Sequence, residues 1–279
     1  MILQAPAKVN FSLDITGKRA DGYHEVKMIM ETVSLYDTVK IFKDKNIKLR
    51  CTLPYVPVNE KNIAYKAASV FFEESGIKGG AFIDIVKRIP VAAGLAGGST
   101  DGAVVLKGLN MLYDTPFTDE QLKSIAVKVG ADVPYCINGR LALAEGIGER
   151  LTPLGKCPKM FVLLAKPNIS LSTKLVYSMV KLDEIKVHPD TDFLVSALEN
   201  GDIKGFASKM YNVLENVSAG EYPIIEKIKQ AMLEGGALGS IMSGSGPTVF
   251  GIFDDEQQAK KIMPKLKEMC GFVYLAHTL

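Results

Sequence analysis

Between residues 90 and 101 the chain reads Pro90-Val91-Ala92-Ala93-Gly94-Leu95-Ala96-Gly97-Gly98-Ser99-Thr100-Asp101, and no other stretch constrains the fold so strongly. Three glycines and three alanines in this run carry almost no side-chain bulk, so the backbone itself can come close to a ligand. A strand-like run, Phe82 to Val86, precedes it. A helical pattern, Gly102 to Tyr113 with Val105, Leu109 and Leu112 on one face, follows it. Ser99 and Thr100 stand where that helix begins, and its free N–H groups and positive dipole end would face whatever the loop encloses. A phosphate is the natural occupant. The alternative is a tight strand-to-helix turn with small residues for packing. The loop is not a Walker A motif, because no lysine follows the glycines in the required place. It is not the dinucleotide fingerprint either, because G-x-G-x-x-G does not occur in the chain.

Around this loop the pattern alternates between strands and helices. Ile2–Leu3, Val9 to Ile15, Val26 to Val33 and Val39 to Phe42 read as short strands, with a turn-rich connection from Thr16 to Gly22. Asn62 to Glu74 reads as a helix stopped by Gly76. Thr118 to Val129 reads as a second one, opened by Thr118 with Gln121 three residues on, a capping box. Strands follow at 141–144 and 160–165, helices at roughly 172–180, 190–199, 201–212 and 222–234, then a strand at 248–253, a helix at 256–269 and a strand at 272–277. The class is α+β, with a break expected after Pro158, giving domains 1–158 and 159–279.

Composition narrows the function. The 279 residues carry 33 Lys+Arg against 31 Asp+Glu, a net charge of +2, and are 47% hydrophobic. That is a globular composition, and no long basic run supplies the phosphate-neutralising term of a nucleic-acid binder. The four cysteines stand far apart and the only histidines are His24, His188 and His277, so neither a disulfide framework nor zinc spacing is expected. No stretch has the length of an apolar bilayer span, and the first residues lack the pattern of a signal peptide. The expectation is a cytoplasmic enzyme with no metal-ligating cluster of its own.

Three further segments could carry chemistry. Lys8 and Asn10 in Ala5-Pro6-Ala7-Lys8-Val9-Asn10 fall on one face of a strand. Asp132 in Gly130-Ala131-Asp132-Val133-Pro134 has apolar neighbours, and an ionised carboxylate there needs a partner unless it caps the turn. If the fold brings Lys8 to Asp132, the pair is a candidate site. Asp21-Gly22-Tyr23-His24 joins a turn to an aromatic ring and an imidazole, and Ser243-Gly244-Ser245-Gly246-Pro247 is a tight turn that could bring N–H groups to a second anion.

Taken in order, Pro6 to Asn10, the P-x-x-x-G-L-x-G-G-S-[ST]-D loop and the turn from Gly244 to Phe250 resemble the GHMP family of small-molecule kinases. The chain departs from the usual loop at Ala96, where glycine is common, and at Gly102, where alanine is common. The resemblance implies a β-rich N-terminal domain with the Gly-rich phosphate loop and a ferredoxin-like C-terminal domain. It implies ATP as co-substrate, with Mg2+ accompanying its phosphates near Ser99. The loop residues Pro90, Val91, Ala92, Ala93, Gly94, Leu95, Ala96, Gly97, Gly98, Ser99 and Thr100 would wrap the phosphates, and Lys87 and Asn62 would lie on the adenine and ribose side. Asp132 would take or orient the acceptor's hydroxyl proton, with Lys8 beside it. The segment from Ile15 to His24 is similar to a branch that phosphorylates a cytidine-diphosphate sugar alcohol. Asn10, Tyr23, His24 and Tyr177 would then hold that substrate, His24 at the edge of the base and the two tyrosines on its faces. A homoserine- or mevalonate-type kinase, or a non-catalytic ligand-binding relative, is the alternative.

Overall fold

The computed structural model describes residues 1–114 and 117–279. Contacts divide the chain into two compact units, neither continuous in sequence: Met1–Ala7 with Leu35–Val91 and Ala96–Gly139, and Lys8–Ser34 with Ala92–Leu95 and Arg140–Leu279. The break expected after residue 158 therefore gives way to crossings at the ends of these segments. The reason lies in two long strands, β1 (Ile2–Lys18) and β2 (His24–Asp44), each of which supplies residues to both units. Read from sequence, they look like four short runs. Pro6 and the polar stretch before Val39 suggest ends that the backbone does not take.

In the first unit, β3 (Lys48–Cys51) runs parallel to β4 (Gly80–Val86), and β4 runs antiparallel to the second half of β2, with Thr38 opposite Val86 and Asp44 opposite Gly80. Val39 and Ile41 are buried while Lys40 and Phe42 are not, the alternation of a sheet covered on one face. That cover is helical: α1 (Ile63–Ser75), α2 (Gly97–Leu112), α3 (Asp119–Val129) and the short α4 (Val133–Asn138). Ile83, Ala67, Phe71, Val105, Leu109, Ile125 and Val133 share one fully apolar cluster. The capping box of α3 forms as expected, Gln121 N–H donating to Thr118 Oγ1 and Thr118 N–H to Gln121 Oε1. Helix α2 begins at Gly97, five residues before the apolar periodicity starts, since the small residues of its first turn carry no pattern. Gly102 sits within it because a Cβ there would come within 2.8 Å of Ile63 Cγ2.

The second unit holds two sheets. In one, β1 pairs with β2 and, in parallel, with β8 (Tyr211–Asn212), and β2 continues through β5 (Ala142–Gly146) to β6 (Arg150–Pro153). In the other, β7 (Phe161–Lys166), β9 (Gly239–Met242), β10 (Val249–Phe253) and β11 (Phe272–His277) lie antiparallel in the order β11-β7-β10-β9. Its helices are α5 (Thr173–Ser178), α6 (Thr191–Glu199), α7 (Ile203–Lys209), α8 (Val213–Glu221), α9 (Ile224–Glu234) and α10 (Glu256–Met269). The sequence joins α7 to β8 as one helix over 201–212 and passes over α8. The chain in fact leaves the helix at Met210 with an extended ψ of 135°. Phe11 meets Phe206 edge to face at 5.0 Å and Phe250 at 6.2 Å. Such pairs contribute about 0.5–1.5 kcal/mol beyond their buried area.

Candidate active site

The Gly-rich loop takes a backbone that only small residues tolerate. Ala92, Gly94 and Ala96 have φ of 50°, 75° and 54°, and the residues between them do not share the positive sign. Alternation of this kind turns successive N–H groups toward one side, the geometry of an anion-binding concavity. Among the described residues, no protein acceptor is recorded for the N–H groups from Ala92 to Ser99, whereas the Thr100 N–H donates to the Ala96 carbonyl at 2.9 Å as the helix takes over. Ala96, with ψ of 26°, is the cap residue of α2 and makes no side-chain bond. The extra methyl that the loop carries at this position therefore sits in the left-handed region, a strained setting for an L side chain. Two buried oxygens in the first turns of α2, Thr100 Oγ1 and Asp101 Oδ1, have no hydrogen-bond partner among the described residues.

The side chain of Lys87, three residues before the loop, is buried. Its ammonium is ion-paired with Asp37 on β2 and lies 2.8 Å from Asp101 Oδ2 on α2. The side chain expected on the adenine and ribose side thus has its ammonium engaged by two carboxylates inside the core. Burial alone would lower its pKa, but Asp101 and Asp37 outweigh that and hold it above the usual lysine range. Burial raises the Asp101 carboxyl above the ordinary carboxylate range, against the pull of Lys87. Asn62 caps α1, its Oδ1 accepting from Ala64 N–H at 2.9 Å while Nδ2 donates to the Pro57 carbonyl at 2.7 Å.

In the second unit the expectation that Lys8 and Asn10 share a face holds. Lys8 Nζ donates to Asn10 Oδ1 at 2.6 Å, and both residues are buried. Asn10 Nδ2 in turn lies 3.3 Å from Met28 Sδ. With its amide engaged at both ends, Asn10 has no exposed surface. Ser243, fully buried, binds this strand to the loop: its hydroxyl accepts from Asn10 N–H at 3.3 Å and donates to the Gly94 carbonyl at 2.9 Å. Lys8 N–H donates to the Leu95 carbonyl at 3.1 Å. Asn212 on β8 holds the turn from below, donating to the carbonyls of Met242 and Gly244 at 2.7 and 2.8 Å.

The segment Arg19 to His24 is the turn between β1 and β2. Arg19 N–H donates to the Tyr23 carbonyl at 2.7 Å, Gly22 N–H returns to the Arg19 carbonyl at 3.0 Å, and Asp21 Oδ1 accepts from Tyr23 N–H at 3.1 Å. The Arg19 side chain pairs with Asp21 and Glu25. This leaves the Tyr23 ring 58% exposed, beside a buried His24 whose ring lies 5.5 Å from that of Tyr177 on α5 at 42°. Burial, with Lys18 nearby, holds the His24 imidazole below its usual range. It is therefore neutral at pH 7, with one ring nitrogen donating and one accepting.

Asp132, in the first unit, occupies the cap position of α4 with φ −84° and ψ −9°, and its side chain makes no cap hydrogen bond. The turn-capping role that a sequence allows for it is not used. Among the described residues no group of three His, Cys, Asp or Glu side chains is arranged to hold a metal. No helix among them is long and apolar enough to cross a membrane. The sequence points to the turn that Ser243 opens but not to the part its hydroxyl plays, and it gives no sign of Asp37 or Asn212. Each acts on a segment far away in the chain, and only the serine stands in a recognisable motif.

Comparison with known proteins places this geometry in context. Residues 62–140 match the family described as GHMP kinases N terminal domain, and residues 194–271 match GHMP kinases C terminal. Proteins from Clostridium botulinum strains Kyoto (type A2) and Alaska E43 (type E3), each named 4-diphosphocytidyl-2-C-methyl-D-erythritol kinase, are 48% and 49% identical over 100% of both chains. A crystal structure titled 4-(cytidine 5'-diphospho)-2C-methyl-D-erythritol kinase superposes with a TM-score of 0.85 at 33% identity, covering 100% of this chain and 99% of the other. A homoserine kinase from Cytophaga hutchinsonii shares the fold at a TM-score of 0.79 and 21% identity, over 99% of this chain and 94% of its own.

Proposed function

The chain belongs to the GHMP kinases, and from that membership we propose that it transfers the γ-phosphoryl group of ATP to the 2-hydroxyl of 4-diphosphocytidyl-2-C-methyl-D-erythritol, a step toward isoprenoid precursors by the non-mevalonate route. It is an ATP-dependent small-molecule kinase. The observation that carries the substrate is full-length identity of 48–49% to relatives of that name. The exposed Tyr23 beside the His24–Tyr177 pair supports it, since two aromatic faces and a neutral imidazole suit a cytosine.

In this reading the hydroxyl oxygen attacks the γ-phosphorus, the bond from that phosphorus to the ADP oxygen breaks, and the hydroxyl proton passes to Asp132 and then to water. Such a base contributes about 10²- to 10⁴-fold in rate. Lys8, held in place by Asn10, neutralises charge on the transferring group. The N–H groups from Ala92 to Ser99 receive the nucleotide phosphates, so that positioning and charge stabilisation carry most of the catalysis. The orphaned Thr100 Oγ1 and the neighbouring Ser99 hydroxyl at the start of α2 are oxygen donors of the kind that suit a hard cation, which takes few protein ligands beside phosphates. The Ser99 hydroxyl would hold Mg2+ there, and the ion supplies charge neutralisation when bound. A cytoplasmic address goes with this reading, because ATP is the donor.

An ADP-release assay with ATP and Mg2+ tests it, comparing the cytidyl-methylerythritol substrate with homoserine and mevalonate. Turnover with the first alone is expected. Turnover with another alcohol and not with the cytidyl substrate would discard the cytosine slot.

A further inference from the structure

The buried Lys87 side chain is tied to both ends of the phosphate loop through its two carboxylate partners. Its ammonium is ion-paired with Asp37 and Asp101, and no member of the trio is more than 4% exposed. Asp37 reaches further: its Oδ1 accepts from the N–H groups of Arg88 and Ile89 at 2.5 and 2.9 Å, the two residues immediately before Pro90. Asp101 lies on the other side of the loop, in the opening turns of α2. A Cβ added at Gly97 would stand 3.2 Å from Lys87 Nζ and 2.9 Å from Ile89 Cγ2, so the ammonium lies directly under the first residue of the helix.

Stability does not account for such a cluster. Three buried charges, with two carboxylates to one ammonium, are a poor substitute for apolar packing, because desolvation offsets the attraction. The surplus negative charge and the unpartnered Asp101 Oδ1 add to that cost. What the cluster provides is geometry, since one side chain fixes the segment entering the loop to the helix leaving it.

We propose that Lys87 is the positioning residue of the phosphate loop: with Asp37 and Asp101 it clamps the segment before Pro90 to the start of α2. The N–H groups of Gly97, Gly98 and Ser99 are thereby aimed before a nucleotide arrives. This rests on the reading that the loop takes nucleotide phosphates.

The test uses the full chain and two readouts, neither of them turnover. One is hydrogen exchange of the Ile89 and Thr100 amides in the nucleotide-free protein. The other is affinity for a fluorescent non-hydrolysable ATP analogue. Lys87→Met leaves two buried carboxylates unpaired and can unfold the chain, so the informative variant is Lys87→Met with Asp101→Leu, which replaces the Lys87–Asp101 pair with apolar groups. Its expected result is exchange about tenfold or more faster at Thr100, with the amides of α1 unchanged. Analogue binding should weaken by about ten- to a hundredfold. Asp101→Asn, which keeps an oxygen for Lys87, should retain affinity within about twofold, as a matched hydrogen bond would. Wild-type exchange and affinity in the double variant would overturn the proposal, as would protection lost equally throughout α1. Failure of the unmutated protein to bind the analogue would sink the nucleotide reading instead, and the exchange result would still decide the clamp.

Discussion

The Lys8 ammonium donates to Asn10 Oδ1 over 2.6 Å, from two residues away on the same strand, with both side chains buried. An ammonium so held cannot wander among rotamers, and Asn10 is what holds it. Asn10→Ala should lower kcat by about ten- to a hundredfold, the loss of a buried hydrogen-bond partner to a charged group. The KM values for ATP and for the cytidyl substrate should move much less. A change confined to substrate KM would return Asn10 to direct substrate contact.

Asp132 makes no cap bond to its own helix, so its substitution tests chemistry without removing a cap. Asp132→Asn should reduce turnover by about 10²- to 10⁴-fold while nucleotide affinity stays as it was. Steady-state rates with a parallel binding titration separate the two, and near-normal turnover would exclude Asp132 as the base.

Tyr23 is 58% exposed, and its ring contributes little to the core. Tyr23→Ala should leave the melting temperature unchanged and raise KM for the cytidyl substrate by about tenfold, within the range of one lost base–aromatic stack. Equal losses for ATP and the cytidyl substrate would point to a structural role for the turn.

Ala96 holds a φ of 54° at the head of α2. Glycine adopts this conformation without strain but is freer in the unfolded chain, so the two effects oppose. The strain of about 1–2 kcal/mol matches or exceeds the entropy term of about 0.5–1 kcal/mol, so Ala96→Gly should stabilise the protein by up to about 1.5 kcal/mol. A urea midpoint shifted upward at unchanged slope would record it.

Glu31 is fully buried on β2, and burial pushes its carboxyl up to about 7, with Thr32, Cys157 and Arg140 pulling the other way. In the unfolded chain the same group loses its proton near 4.5, so between the two values the folded state binds more protons. Stability should therefore fall as pH rises from 4.5 to 7 and level off above it. Glu31→Gln removes this ionisation, so melting temperatures recorded from pH 5 to 8.5 should fall less steeply than in the unmutated protein, the buried Asp101 keeping its own share of the slope. A slope unchanged in the variant would assign it wholly to another group.

Much of the site was legible because its signals are local. The small residues of the loop, the Thr118–Gln121 box and the two-residue spacing of Lys8 and Asn10 each declare themselves within a few positions. The sign of φ at Ala96 did not, since alanine gives no hint of a left-handed backbone. Asp37 reads as an ordinary polar position in a strand, and only the folded chain brings it to Arg88 and Ile89. Lys87 reads as a cation free for a ligand for the same reason. The crossings between units after Ala7 and Ser34 fall inside uninterrupted strands, where composition does not change.

Those crossings also bear on how the chain can be made and divided. The second unit needs residues 8–34, which leave the ribosome early, together with residues from Arg140 onward, which leave it much later, and the parallel pairing of Leu13 with Asn212 joins them. The first unit is complete once Gly139 has emerged. During synthesis the early strands of the second unit can pair with each other, but their edges toward β8 and β5 must wait, since non-local pairing cannot form before both partners exist. No single cut yields two self-sufficient pieces, so expression of either half alone should leave orphaned strand edges and insoluble material.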